Sequence, residues 1–180
     1  MSKRLFVAID LSESVRQCLV DLDPHIAGMR WGNGAQMHLT LGFFGDVPQT
    51  VDLALREKLA AIQFGAFFLP IQSVGTFPPK GPPKIVWIGV GSGHPHLYQL
   101  HKRVNDAAVS VGLEVDLRSW HPHVTLARCH DVPASAVRKF LQSNVDFEVG
   151  MIHVDAFHLY SSQLTPSGPI HTRVISISAR

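Results

Sequence analysis

His38-Leu39-Thr40-Leu41-Gly42-Phe43-Phe44-Gly45-Asp46-Val47-Pro48 lies over His123-Val124-Thr125-Leu126-Ala127-Arg128-Cys129-His130-Asp131-Val132-Pro133 without a gap. The His, the Thr, the Leu after it and the closing Asp-Val-Pro coincide. In an extended chain residues two apart share a face, so each copy sets His beside Thr and turns its aliphatic neighbours the other way. The proline closing each copy has the fixed φ that suits a helix start. Each copy therefore predicts a strand running into a helix.

The order of elements around the two copies repeats as well. The apolar run 5–9, closed by Asp10, predicts a buried strand, and Ser12 is placed to cap a helix over 13–26 with Val15, Leu19 and Leu22 inward. A glycine-rich turn at 32–34 precedes the first motif strand, and Val51, Leu55, Leu59 and Ile62 stripe the helix after it. A strand over 67–74 leads to the proline- and glycine-rich loop 77–83, the midpoint break. Beyond it come a strand over 85–90, a helix over 97–111, the second motif strand over 123–128 and a helix over 134–142. Strand-like sequence over 149–160 and a last strand over 173–177 complete the chain. The expected fold class is α+β: one bilobal domain, 1–180, with halves of about 1–78 and 84–180 related by a pseudo-twofold. Each half is a β-α-β-α-β unit. Antiparallel-rich sheets are expected to line a central cleft, with helices outside.

The bulk composition narrows the partners. Apolar residues make up 46%, enough for a sizeable core, and charged residues only 17%, with a formal net charge of +2. That mild basicity fits contact with one or two phosphates, whereas wrapping a duplex calls for a dense Lys/Arg stripe. Cys18 and Cys129 form no Cys-x-x-Cys, so a reducing cytoplasm is expected. The apolar run after Arg4 is too short for a signal-peptide core, and no stretch reaches membrane-spanning length.

Two imidazoles and two hydroxyls meeting across a pseudo-twofold are what phosphodiester hydrolysis at neutral pH requires. A neutral imidazole takes a proton from water while a protonated one gives a proton to the departing sugar oxygen. Histidine's ordinary pKa lets both forms coexist near neutrality. Threonine hydroxyls donate to the non-bridging phosphate oxygens. A single His-x-Thr in a strand is more often structural. Two in register inside a repeat are not, because His and Thr on an inward face pack poorly unless something polar lies between them. The catalytic candidates are therefore His38 and His123, with Thr40 and Thr125 on the phosphate and no metal or cofactor.

At these residues the chain resembles the two-histidine phosphoesterases, and within them the bacterial RNA 2′,3′-cyclic phosphodiesterases, also described as 2′-5′ RNA ligases. The resemblance rests on the segments 4–10, 38–45 and 121–128 and on Phe157-His158-Leu159-Tyr160-Ser161-Ser162. It implies a bilobal fold, a metal-free His38/His123 pair, RNA ends or nucleotides bearing a 2′,3′-cyclic phosphate as partners, and a 2′-phosphate product. It implies reverse joining through 2′-5′ linkages too. Relatives carry a tyrosine where this chain has His171, so a role for that tyrosine does not transfer. Arg128 matches the family's arginine at the phosphate, although strict alternation from His123 sends Ala127 to the active face.

Of the other histidines, His94-Pro-His96 and His121-Pro-His123 invite a zinc reading, but no Asp, Glu or Cys stands at motif spacing. His121 is expected to shape a turn. His25, His101, His130, His153 and His158 are expected at the surface or strand edges. Phe6, Phe44 and Trp120 are candidates to stack a base, each against a core reading, and Lys80 with Lys84 to steer a polyanion. A monomer is expected. The residues alone leave open a cyclic mononucleotide or ADP-ribose cyclic phosphate as substrate, and a non-catalytic nucleotide-binding module.

Overall fold

Strand and helix faces are set by where the aliphatic residues fall. The computed structural model describes residues 2–116, 118–166 and 168–180. The order is β1 (Ser2–Asp10), α1 (Glu13–Val20), β2 (Met29–Trp31), a 3-10 turn (Gly34–Gln36), β3 (His38–Pro48), α2 (Gln49–Ala60), β4 (Phe67–Phe77) and β5 (Ile85–Gly89). It continues through α3 (Pro95–Ser110), β6 (His123–Cys129), α4 (Ala134–Ser143), β7 (Glu148–Val154), β8 (Ala156–Thr165) and β9 (Gly168–Ser178). Ser12 caps α1 through Val15 N–H, and Pro48 and Pro133 open α2 and α4 as their positions predict. The helix α1 stops at Val20 and does not reach residue 26. Pro24 bars the residue before it from helical geometry and removes a helix N–H. The strand-like run 149–160 is two strands, broken at Asp155.

The sheet runs β7-β4-β5-β6-β3-β1-β8-β9, with β2 added on β6. The named pairings are antiparallel. The fourth strand of each sequence half pairs with the first strand of the other half: β4 with β5, and β8 with β1. The repeat in the letters is thus not a pair of self-contained lobes. The side of the sheet with β6 takes β4 from the first half, and the side with β3 takes β8 and β9 from the second. The sheet also has to curl. β7 ends one side of the order and β8 lies near the other, yet Asp155 alone joins them, a link of only about 7 Å.

Leu5, Val7, Ile9, Leu39 and Leu41 from the strands pack with Leu55, Leu59, Leu97, Leu100 and Val104 from the helices in one buried core. Side chains on the opposite face of the strands remain for a cleft.

Candidate active site

β3 and β6 meet at the centre of the sheet, with Leu39 opposite Val124. Carrying that antiparallel register one residue either way sets His38 abreast of Thr125 and Thr40 abreast of His123. All four line one cleft of about 460 Å³. The crossed arrangement is the pseudo-twofold at residue level, and it gives each imidazole a hydroxyl from the other motif.

Both motif strands carry the same irregularity. β3 holds an extra residue at Leu41, between the pairs Val7–Gly42 and Ala8–Thr40. β6 holds one at Leu126, between Val86–Ala127 and Trp87–Thr125. An inserted residue reverses the alternation beyond it. Gly42 and Ala127 therefore turn inward, while Phe43 and Arg128 turn to the cleft. The extra carbonyls are satisfied off the ladder: Leu41 O accepts from His101 Nδ1–H at 2.7 Å, and Leu126 O accepts from Gly32 N–H at 2.7 Å.

Phe44, Trp120, His101 and His158 depart from expectation in this geometry. Arg128 lines the cleft, where the bulge and not strict alternation turns it. Phe44 does not: it is buried in the core, and Phe43, 51% exposed, takes the cleft position under the Arg4 guanidinium, 5.1 Å from the ring centroid. Trp120 is absent from the cleft wall and stacks on His101 with centroids 3.8 Å apart. His101 and His158 are not surface residues. His101 serves the bulge, and His158 is buried against Ser176 Oγ at 2.9 Å.

Phe6 lines the cleft but is 3% exposed, stacked on His38 at 4.8 Å and on Tyr160 at 5.3 Å. It holds the catalytic candidate's ring rather than offering a face to a base. His171 meets His38 edge-on at 5.4 Å and Phe6 at 4.9 Å, and its buried Nδ1 has no hydrogen-bond partner among the described residues. Behind Phe6, Asp10 accepts from Tyr160 Oη–H at 2.6 Å and pairs with Arg173. Burial, with His171 adding to it, holds the His38 pKa down to about 4. Asp10 and the Gln36 backbone oppose the shift, and Arg16 adds to it.

His123 Nδ1–H donates to the His121 carbonyl at 2.7 Å, which leaves Nε2 free for chemistry. Its ring lies edge-on to Phe77 at 5.0 Å and beside Trp87 at 6.3 Å. Trp87 fits there because its cross-strand neighbour is Gly75. A Cβ at that position would come within 2.3 Å of the indole. Burial also lowers the His123 pKa; the hydrogen bond to the His121 carbonyl opposes the shift and the His121 imidazole adds to it.

Two of the histidines in the His-Pro-His stretches pack on aromatic rings. His121 packs on Trp87 at 4.5 Å, and His96 stacks on Phe67 at 6.0 Å. Among the described residues no group of three or more His, Cys, Asp or Glu side chains is placed to hold a metal ion. Sequence reasoning missed Arg4, Arg30, Gln36 and Phe43 as cleft residues. Only the paired Leu-Gly and Leu-Ala steps after each His-x-Thr hint at the bulges that turn Phe43 and Arg128 around.

The comparisons with known proteins agree with this geometry. An RNA 2′,3′-cyclic phosphodiesterase of Aeropyrum pernix is 36% identical over 145 residues, 79% of this chain and 81% of its own. One of Archaeoglobus fulgidus is 32% identical over 93% of this chain and 96% of its own. Among solved structures, E. coli LigT complexed with 3′-AMP superposes with a TM-score of 0.81 at 26% identity, covering 99% of each chain. TT0787 of Thermus thermophilus does so with a TM-score of 0.78 at 27% identity, covering 98% of each. The 2′-5′ RNA ligase superfamily matches residues 20–165, a span that takes in both motifs, and the chain belongs to that superfamily.

Proposed function

We propose that the chain hydrolyses 2′,3′-cyclic phosphate ends of RNA to 2′-phosphate ends, with His38 and His123 as a metal-free general acid–base pair. One observation carries this reading: the two His-x-Thr motifs, in register and with the same bulge, face one cleft whose described lining holds no carboxylate. The names of the relatives support it.

One imidazole, neutral, accepts a proton from water as the water oxygen bonds to phosphorus. The other, protonated, gives its proton to the ribose O3′ as the P–O3′ bond breaks, so the phosphate stays on O2′. One proton enters and one leaves, and exchange with solvent resets the pair. Thr40, Thr125 and Arg128 stabilise the charge that gathers on the non-bridging oxygens. A 5′-hydroxyl of RNA in place of water makes a 2′-5′ linkage by the same step. All five groups come from one chain, which supports a monomer as the working unit and residues 1–180 as one functional domain. Free Cys18 and Cys129 support a cytoplasmic setting. Among the described residues no helix is long and apolar enough to cross a membrane.

The test is product analysis on a 5′-labelled oligoribonucleotide ending in a cyclic phosphate, after dialysis against a chelator. A 2′-phosphate end is expected. A 3′-phosphate product, or activity lost on chelation and restored by zinc or manganese, overturns the mechanism.

A further inference from the structure

Arg30 and Arg128 stand directly opposite each other on β2 and β6. Like charges so placed destabilise a sheet unless something anionic lies between them. No acidic side chain fills that role: among the described residues neither arginine has an ion pair or side-chain hydrogen bond, and no Asp or Glu lines the cleft they share. The strand that presents Arg30 is also fixed on both sides. Met29 is buried, and Trp31 Nε1–H donates to the Leu19 carbonyl at 3.0 Å. Gly32 N–H is tied to the bulge at Leu126. A three-residue strand held at each end aims one exposed guanidinium at the cleft, so the backbone needs no reordering when an anion binds.

Across the bulge, Arg128 lies two ladder steps beyond Thr125, about 7 Å along the strand. Its partner across the ladder therefore sits that far from where Thr40 and Thr125 hold the reacting phosphate, within reach of a second phosphate on the same ligand. Arg4, stacked on Phe43, adds a third cation to the cleft.

We propose that Arg30, opposed to Arg128, forms a second anion subsite that takes the phosphate on the 5′ side of the terminal nucleotide. The inference rests on the cyclic-phosphate reading above. It makes the preferred substrate one with a second phosphate: a nucleotide end within an RNA strand, or a nucleoside cyclic phosphate bearing a 5′-phosphate.

Three substrates separate the cases: adenosine 2′,3′-cyclic phosphate, the same compound with a 5′-phosphate, and the dinucleotide ApA ending in a cyclic phosphate. In the wild type kcat/KM should rise about tenfold when the second phosphate is present, the usual worth of one charge-assisted hydrogen bond at a partly wet site. In Arg30→Gln the ratio to the bare nucleoside should fall close to one. Whichever phosphate source shows the gain names the natural one. The logarithmic salt dependence of kcat/KM for ApA should flatten by about 0.7 in the variant, one phosphate contact on a single strand. No gain in the wild type, a gain that survives in Arg30→Gln, or an equal loss on all three substrates overturns the subsite. Turnover of none of the three by the wild type would instead sink the cyclic-phosphate reading itself.

Discussion

The two motif histidines sit in pockets with different walls. His38 is packed between Phe6 and a third imidazole, His171, and its pKa is held down to about 4. His123 is pinned through Nδ1 to the His121 carbonyl and walled by Phe77 and Trp87. The letters of the motifs, the bulges and the crossed register are the same. Duplication has kept the backbone that aims the groups, and the walls have diverged. A symmetric skeleton therefore carries two unequal bases, as a reaction needing one proton acceptor and one donor demands. Burial biases both to the neutral form, and an anionic substrate pulls both back towards protonation.

The largest expected effect tests whether both halves of the pair matter. His38→Ala and His123→Ala should each lower turnover by roughly 10²–10⁴. The double variant should fall well short of the product of the two losses, because both groups act in one step. The wild-type pH profile should be bell-shaped, and the limb each single variant loses assigns its role. A folded His123→Ala enzyme with an unchanged rate would reduce the second motif to a packing relic.

A smaller effect concerns stability. His38 has a folded-state pKa of about 4 against an ordinary 6.5, so between those values the unfolded chain binds the extra proton. Its contribution is fully present above pH 6.5 and is lost as pH falls through 4, up to roughly 3 kcal/mol. Urea midpoints at pH 7.5 and 4.5 should drop less in His38→Gln than in the wild type. The same comparison for His123→Gln should give a drop of the same sign. Equal acid sensitivity in wild type and His38→Gln would mean that His38 is not kept neutral by its pocket.

The sequence carried the skeleton well. Period-2 alternation put His38, Thr40, His123 and Thr125 on shared faces, and the repeat put those faces together. What it could not show is what a bulge does. Leu41 and Leu126 are ordinary aliphatic residues, yet one extra residue opposite a neighbouring strand moved Phe44 into the core and brought Arg128 out. The exchange of β4 and β8 between halves was equally hidden, because strand partners far apart in sequence leave no periodicity. Arg30 sits in a strand of three residues, too short for any pattern to register.

The finest test of the asymmetry is His171, which reaches His38 from β9 at 5.4 Å, whereas the imidazole beside His123, His121 at 6.4 Å, comes from the same stretch of chain. Its ring contributes to the low His38 pKa only second to burial. His171→Phe keeps a flat ring against Phe6 and His38 but removes both nitrogens. The pH limb of kcat/KM that belongs to His38 should then move up, stopping short of histidine's usual value because burial is untouched. The limb of His123, whose environment His171 does not enter, should stay in place. NMR titration of the two ring protons reads the same contrast directly. If neither resonance shifts, His171 is a wall residue only. If both shift together, the two pockets are electrostatically one, and the division of labour drawn from their different walls is wrong.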